Sequence, residues 1–197
     1  MHDKIAPTFW ILSRAGGVTA YVLLTCGVLL GLCVRTRVLA RVRPAVVVDL
    51  HRTVSLLALG ATGIHLAGLA MDVNHPSPPL AYVVPGLMAH RTPWTAAGVV
   101  AAELMLVIHL SFRLRSRIGA RVWRRLHWAT YAVFAAATAH GLGAGSDAGV
   151  PWARGMYLAA LAAVVALTAR RALAPPRAPA ARPRTVPLAG TPDRGAS

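Results

Sequence analysis

The sequence predicts an all-α integral membrane protein, a bundle of about five transmembrane helices. Of its 197 residues, 56% are hydrophobic and only 14% are charged, which is too apolar a balance for a soluble domain. Five apolar runs reach roughly the 20 residues that a helix needs to cross a bilayer, whereas the strands of a membrane barrel would be shorter and alternating. We place the helices at residues 9–34, 45–71, 94–112, 124–145 and 152–173.

The charges of the connections predict the orientation. Arginines follow the first and third predicted helices and recur in the C-terminal segment, whereas the N-terminus and the other connections carry few. The positive-inside rule then places the N-terminus outside and the C-terminus in the cytoplasm. A net charge of +15 on a soluble protein would favour nucleic acid, but arginines between apolar runs indicate loops against membrane lipid instead. We therefore expect a multi-pass protein of the cell inner (plasma) membrane with no nucleic-acid partner.

The chain divides into two regions. Residues 1–173 are expected to form one helical membrane domain, and residues 174–197, rich in Pro, Ala and Arg, a disordered cytoplasmic tail. The run at 9–34 is too long for the apolar core of a signal peptide, and Arg14 interrupts it. Neither a G-x-G-x-x-G motif nor a P-loop occurs, so nucleotide chemistry is expected to belong to another molecule.

Histidines on the second and fourth predicted helices carry the functional signal. An ionisable residue inside a membrane helix is costly and is by default a functional hypothesis. The separations are 14 and 13 residues, roughly 21 and 20 Å of helical rise. In the predicted topology one histidine of each helix lies near the cytoplasmic face and one near the outer face. The inner histidines are His51 and His127, and the outer ones are His65 and His140.

Two imidazoles that face each other at one level are what the axial ligation of a haem iron requires, with the haem between the helices. A step of 14 residues returns to within about 40° of the same helix face, but a step of 13 misses by about 140° in a straight helix. We therefore expect the fourth helix to be kinked or locally rewound, or its two rings to approach from different sides, and the glycines that follow His140 could relax its end. The alternative is a set of interhelical hydrogen bonds or a proton path.

Small residues near the histidines, and several arginines, add to the haem hypothesis. Gly60, Gly63 and Gly68 near His65 would give clearance for a flat macrocycle, or would simply pack helices. Gly27 and Gly31 form a small-xxx-small pair of the kind that packs helices.

Arg14 lies inside the first predicted helix at the outer level and needs a partner, either a haem propionate or the outer lipid headgroups. Arg52, Arg124 and Arg125 could serve an inner haem similarly.

The spacings H-x13-H at His51 and H-x12-H at His127, with the strings LHR and WRRLH, resemble the ferric-reductase-like transmembrane domain. That family includes ferric reductases, NADPH oxidases and the haem subunit of the bacterial periplasmic methionine sulfoxide reductase system. The resemblance covers roughly residues 9–173 and implies two b-type haems, held by His51 with His127 and by His65 with His140. The larger members carry a flavin and nicotinamide domain, so this chain looks more like the short bacterial members.

The resemblance implies transmembrane electron transfer, from a quinol or a separate flavoprotein to an extracytoplasmic acceptor. The chain would be the haem-containing component of an oxidoreductase rather than a complete enzyme, and we assign it no catalytic residue. One alternative is a haem subunit that serves a periplasmic sulfoxide reductase. Another is a haem-free membrane transporter or scaffold in which the histidines relay protons.

Overall fold

The computed structural model describes residues 6–36, 38–73 and 76–173, and this part of the chain is helical with no strand. The all-α class is therefore confirmed, while the predicted disordered tail at 174–197 lies outside the described residues. A short 3₁₀ turn, Pro79–Tyr82, lies in the connection between the second and third helices. The helices are α1 (Ala6–Thr36), α2 (Pro44–Met71), α3 (Thr92–Arg113), α4 (Arg115–Trp128), α5 (Thr130–Ala144) and α6 (Pro151–Leu173).

Four of the described helices are long and apolar enough to cross a membrane: Thr8–Thr36 within α1, and the whole of α2, α3 and α6. They correspond to the first, second, third and fifth predicted spans. Proline occupies the first turn of α2 and of α3, where its missing N–H costs no helical hydrogen bond and its fixed φ suits a helix start. A multi-pass membrane protein is thus confirmed, and the orientation of its termini stays a prediction.

The fourth predicted span, 124–145, is divided between two helices. The N–H of Ala129 bonds to the carbonyl of Leu126, one residue nearer than in an α-helix, and α4 gives way to α5 at this point. At 15 residues α5 is shorter than the roughly 20 that span a bilayer, so the count of five is not established. The hydrogen bond of Ala129 is a small departure from a straight α-helix between His127 and His140, and the sharper kink of this region lies before His127, at Gly119 (φ 80°, ψ 152°).

The helices are arranged as two closely packed pairs, α1 with α2 and α3 with α5. In the described part of the chain α2 and α5 have no comparable backbone packing with each other. The buried core lies where α1 meets α5 and α6, around Tyr21, Phe134 and Tyr157. The hydroxyl groups of Tyr21 and Thr138 are hydrogen bonded at 3.0 Å, so this core joins the two pairs. The histidine-bearing face of α2 lies opposite the histidines of α4 and α5.

Candidate cofactor site

The four predicted histidines form two pairs, one at each of two levels along the helices. The ring centroids of His51 and His127 are 6.1 Å apart, with an interplanar angle of 78°. Those of His65 and His140 are also 6.1 Å apart, with an angle of 74°. All four rings are partly buried. The structure therefore brings together the pairs that the sequence matched by depth, across the space between α2 and the α4–α5 segment.

Three of the four imidazoles are fixed by a backbone carbonyl of the helix packed beside their own. A carbonyl can only accept, so Nδ1 carries the proton and the lone pair of Nε2 is left free to bind a metal. Metal-ligating histidines commonly donate their second ring nitrogen in this manner, which fixes the tautomer and the ring orientation. The bonds run from Nδ1 of His51 to Gly27 O at 2.8 Å, from His65 to Ser13 O at 2.7 Å, and from His140 to Trp94 O at 2.9 Å.

The separation of the rings suits one metal atom between each pair. With metal–nitrogen bonds of about 2.0 Å and each nitrogen about 1.1 Å from its ring centroid, two opposed imidazoles have centroids roughly 6.2 Å apart. Both pairs lie at 6.1 Å. Simple edge-to-face contact covers the same range of distances, about 4.5–7 Å, so the distance alone does not decide. The Nδ1–H bonds meet a second requirement of a metal site, because they leave Nε2 of three rings without a proton and available as a ligand.

Glycines make room for the same three imidazoles. A Cβ atom built at Gly17 would lie 3.0 Å from Nδ1 of His65, and one at Gly31 would lie 3.4 Å from Cε1 of His51. At Gly98 it would lie 2.6 Å from Nδ1 of His140. Each glycine follows the carbonyl that binds the same ring by four residues, so carbonyl and glycine share one face of their helix. Each carbonyl and glycine together form a seat for one imidazole.

The glycine seats correct part of the sequence interpretation. Gly31 was assigned to helix packing, but it lies against the His51 ring, and the roles of Gly17 and Gly98 were missed. A Cβ at Gly60 meets nothing within 4 Å, and Gly60 lines an apolar groove between α1 and α2 that also includes Leu57. A Cβ at Gly68 would lie 2.7 Å from the backbone of Ser13, so Gly68 serves helix packing. The space for the histidine rings therefore comes from glycines of the neighbouring helices, and not from the glycines of α2.

The family model described as ferric reductase like transmembrane component matches residues 16–138, more than half of the chain. The chain belongs to this ferric-reductase-like family. The matched residues include His51, His65 and His127 and end two residues before His140. Comparison with curated proteins and with solved structures finds no match. Membership of the family, together with the membrane-length helices, makes transmembrane electron transfer the general functional class.

Arg14 of this ferric-reductase-like chain has a carboxylate partner within the protein. Its Nε donates to Oδ2 of Asp147 at 2.6 Å, its Nη2 donates to Oδ1, and its guanidinium lies 5.0 Å from the Trp10 ring centroid. Asp147 is in the connection between α5 and α6 and is only 9% exposed. The Arg14 cation therefore does not depend on a propionate for neutralisation, and its predicted role toward haem stays a prediction. The sequence does not reveal this partner, because Asp147 lies in a connection and has no helical periodicity.

Asp147→Asn should destabilise the fold, because it removes the charge that a bidentate pair between α1 and the α5–α6 connection requires. Since Arg14 is 39% exposed, the expected loss is only about 1–2 kcal/mol, seen as a lower thermal midpoint by circular dichroism in detergent. Asp49→Asn is the matched control, since its contact with Arg52 is 3.9 Å long and highly exposed, and it should change the midpoint little. Equal midpoints for the two variants would contradict a structural role for the Arg14–Asp147 pair.

Proposed function

We propose that this chain transfers electrons across the cell inner (plasma) membrane through two b-type haems. His51 and His127 would hold the inner haem iron, and His65 and His140 the outer one. The observation that carries the proposal is the repetition of one geometry at two levels, with ring centroids 6.1 Å apart in both pairs. Membership of the ferric-reductase-like family supports it independently.

The residues of the chain would prepare the two sites for this chemistry. Haem iron, when bound, supplies one-electron oxidation and reduction. The Nδ1–H bonds to Gly27, Ser13 and Trp94 hold the Nε2 atoms ready as ligands and make them more basic. Holding each haem iron between two histidines would leave no position for a further ligand, which favours outer-sphere electron transfer over binding of oxygen. The surrounding apolar helices exclude water.

The proposed donor is a quinol or a separate flavoprotein, and the proposed acceptor lies on the extracytoplasmic side. Ferric iron, a periplasmic reductase partner or an extracytoplasmic flavoprotein would each suit an outer haem held by His65 and His140. The chain would then be the electron-transfer component of an oxidoreductase system. If the acceptor is a periplasmic sulfoxide reductase, the purified reductase should reoxidise the reduced protein much faster than ferric chelates do.

The deciding experiment is an absorption spectrum of the purified full-length protein, oxidised and after dithionite, with haem counted per chain. We expect the sharp reduced bands of a b-type haem and about two haems per chain. Protein that stays colourless after expression with ample haem would contradict the proposal. The histidine pairs would then be better explained as a proton relay in a transporter or scaffold.

A further inference from the structure

Beside the inner histidine pair lies a group of four residues from three helices, here called the inner cluster: Arg52, Phe112, Arg115 and Trp123. Phe112 and Trp123 make an edge-to-face contact with ring centroids 6.0 Å apart. Trp123 in turn stacks on His127, with centroids 5.1 Å apart and an interplanar angle of 22°. The inner cluster is therefore in direct contact with a proposed haem ligand, and none of its members was needed to explain how that ligand is held.

One polar atom in the inner cluster lacks a partner. Nε1 of Trp123 is buried, and none of the described residues accepts its hydrogen bond. A buried N–H without an acceptor is costly, and in native proteins such a group usually marks the place of a ligand or water. An indole N–H can only donate, so the missing group must be an acceptor.

Two guanidinium groups lie against one aromatic ring of the inner cluster. The guanidinium groups of Arg52 and Arg115 each lie 5.2 Å from the Phe112 ring centroid, and that of Arg115 lies 5.8 Å from the Trp123 ring. The helix that carries Arg115 and Trp123, α4, has no acidic residue. In the described part of the chain the one carboxylate paired with these arginines is Asp49, at 3.9 Å from Arg52 and highly exposed. Cations gathered without matching acids favour an anionic ligand.

We infer that Arg115, Arg52 and the Nε1–H of Trp123 form an anion-binding subsite that takes a carboxylate of the inner haem. The inference rests on the proposed function and deepens it. A haem carries two carboxylates at one edge, and a carboxylate accepts from guanidinium and indole N–H groups together. A lipid phosphate offers the same acceptor chemistry, so the experiment must separate the two sources.

The test compares haem with its dimethyl ester, which lacks free carboxylates. Full-length protein from haem-limited cells is titrated with each compound in an uncharged detergent. With haem, Arg115→Gln and Trp123→Phe should each weaken one of the two binding steps about tenfold or more, because a charge-assisted hydrogen bond is lost. With the dimethyl ester, each variant should match the wild type. Trp123→Phe keeps a ring that can stack on His127.

Arg117→Gln is the matched control, since Arg117 is an exposed arginine of α4 that makes none of the ring contacts of the inner cluster. Retention of the other haem-binding step shows that each variant is folded. Unchanged haem affinity in both variants would overturn the subsite in favour of a lipid phosphate, while leaving the proposed function intact. An equal penalty with haem and with its ester would also overturn it, because the two residues would then support His127 by packing and would not bind a carboxylate. Wild-type protein that takes up no haem would instead refute the proposed function itself.

Discussion

His65→Ala protein is expected to carry about one haem per chain in place of about two. The substitution removes one axial ligand of the outer site, together with the Nδ1 hydrogen bond to Ser13 that fixes it. The inner pair is a separate site, because His51 lies 14 residues away on α2, about 21 Å along the helix. Its haem should remain, and the reduced b-type bands should fall by about half.

His109→Ala provides the matched control for His65→Ala. His109 is also a partly buried histidine of a membrane-length helix, but it belongs to neither ring pair. The control should retain both haems with an unchanged spectrum. If His65→Ala kept its full haem content, the outer site would not depend on this imidazole. If it lost both haems while staying folded, the two levels would not be independent sites.

The histidine pairs could be predicted because they depend on distance along a helix. A rise of 1.5 Å per residue converts the separation of His51 and His65 into depth, and loop charge matches the levels of the second helix to those of the fourth. The partner of each ring followed from depth alone. Residue spacing and loop charge give this depth without any knowledge of how the helices pack.

The position of the helix break could not be predicted. The 13-residue step required a departure from a straight helix, and the glycines after His140 were the nearest known cause. The break instead falls at Ala129, although alanine has the highest helix propensity. The arginine-rich segment Arg115–Trp128 is polar and is interrupted by a kink at Gly119, so a search for apolar spans does not detect it.

The carbonyl groups and glycines that hold the histidine rings could not be predicted from the sequence either. The hydrogen bonds from His51, His65 and His140 join residues 24, 52 and 46 positions apart, and the Arg14–Asp147 pair joins residues 133 apart. Periodicity states which face of a helix a residue lies on, but not which helix that face meets. For this reason Gly31 was recognised as a close-packing glycine without its partner, and Gly98 was not recognised.

Gly98→Ala is expected to remove the outer haem although it adds only one methyl group. Its Cβ would lie 2.6 Å from Nδ1 and 2.8 Å from Cε1 and Cγ of His140, closer than real Cβ contacts. The ring must therefore move, and the move breaks its hydrogen bond to Trp94 O and misdirects Nε2. Overpacking of this kind costs about 1–3 kcal/mol, which outweighs the gain of up to about 1 kcal/mol from replacing glycine in a helix.

Gly60→Ala separates this steric effect from the change in helix propensity. Gly60 lies within α2, and its added Cβ would meet nothing within 4 Å. This variant should keep both haems and its thermal midpoint should rise or stay level, whereas Gly98→Ala should lose haem and melt at a lower temperature. The two variants carry the same substitution in helices of one bundle. Opposite changes in their thermal midpoints would therefore locate the effect at the His140 seat. Gly98→Ala protein with full haem content and raised stability would show that His140 does not need this glycine.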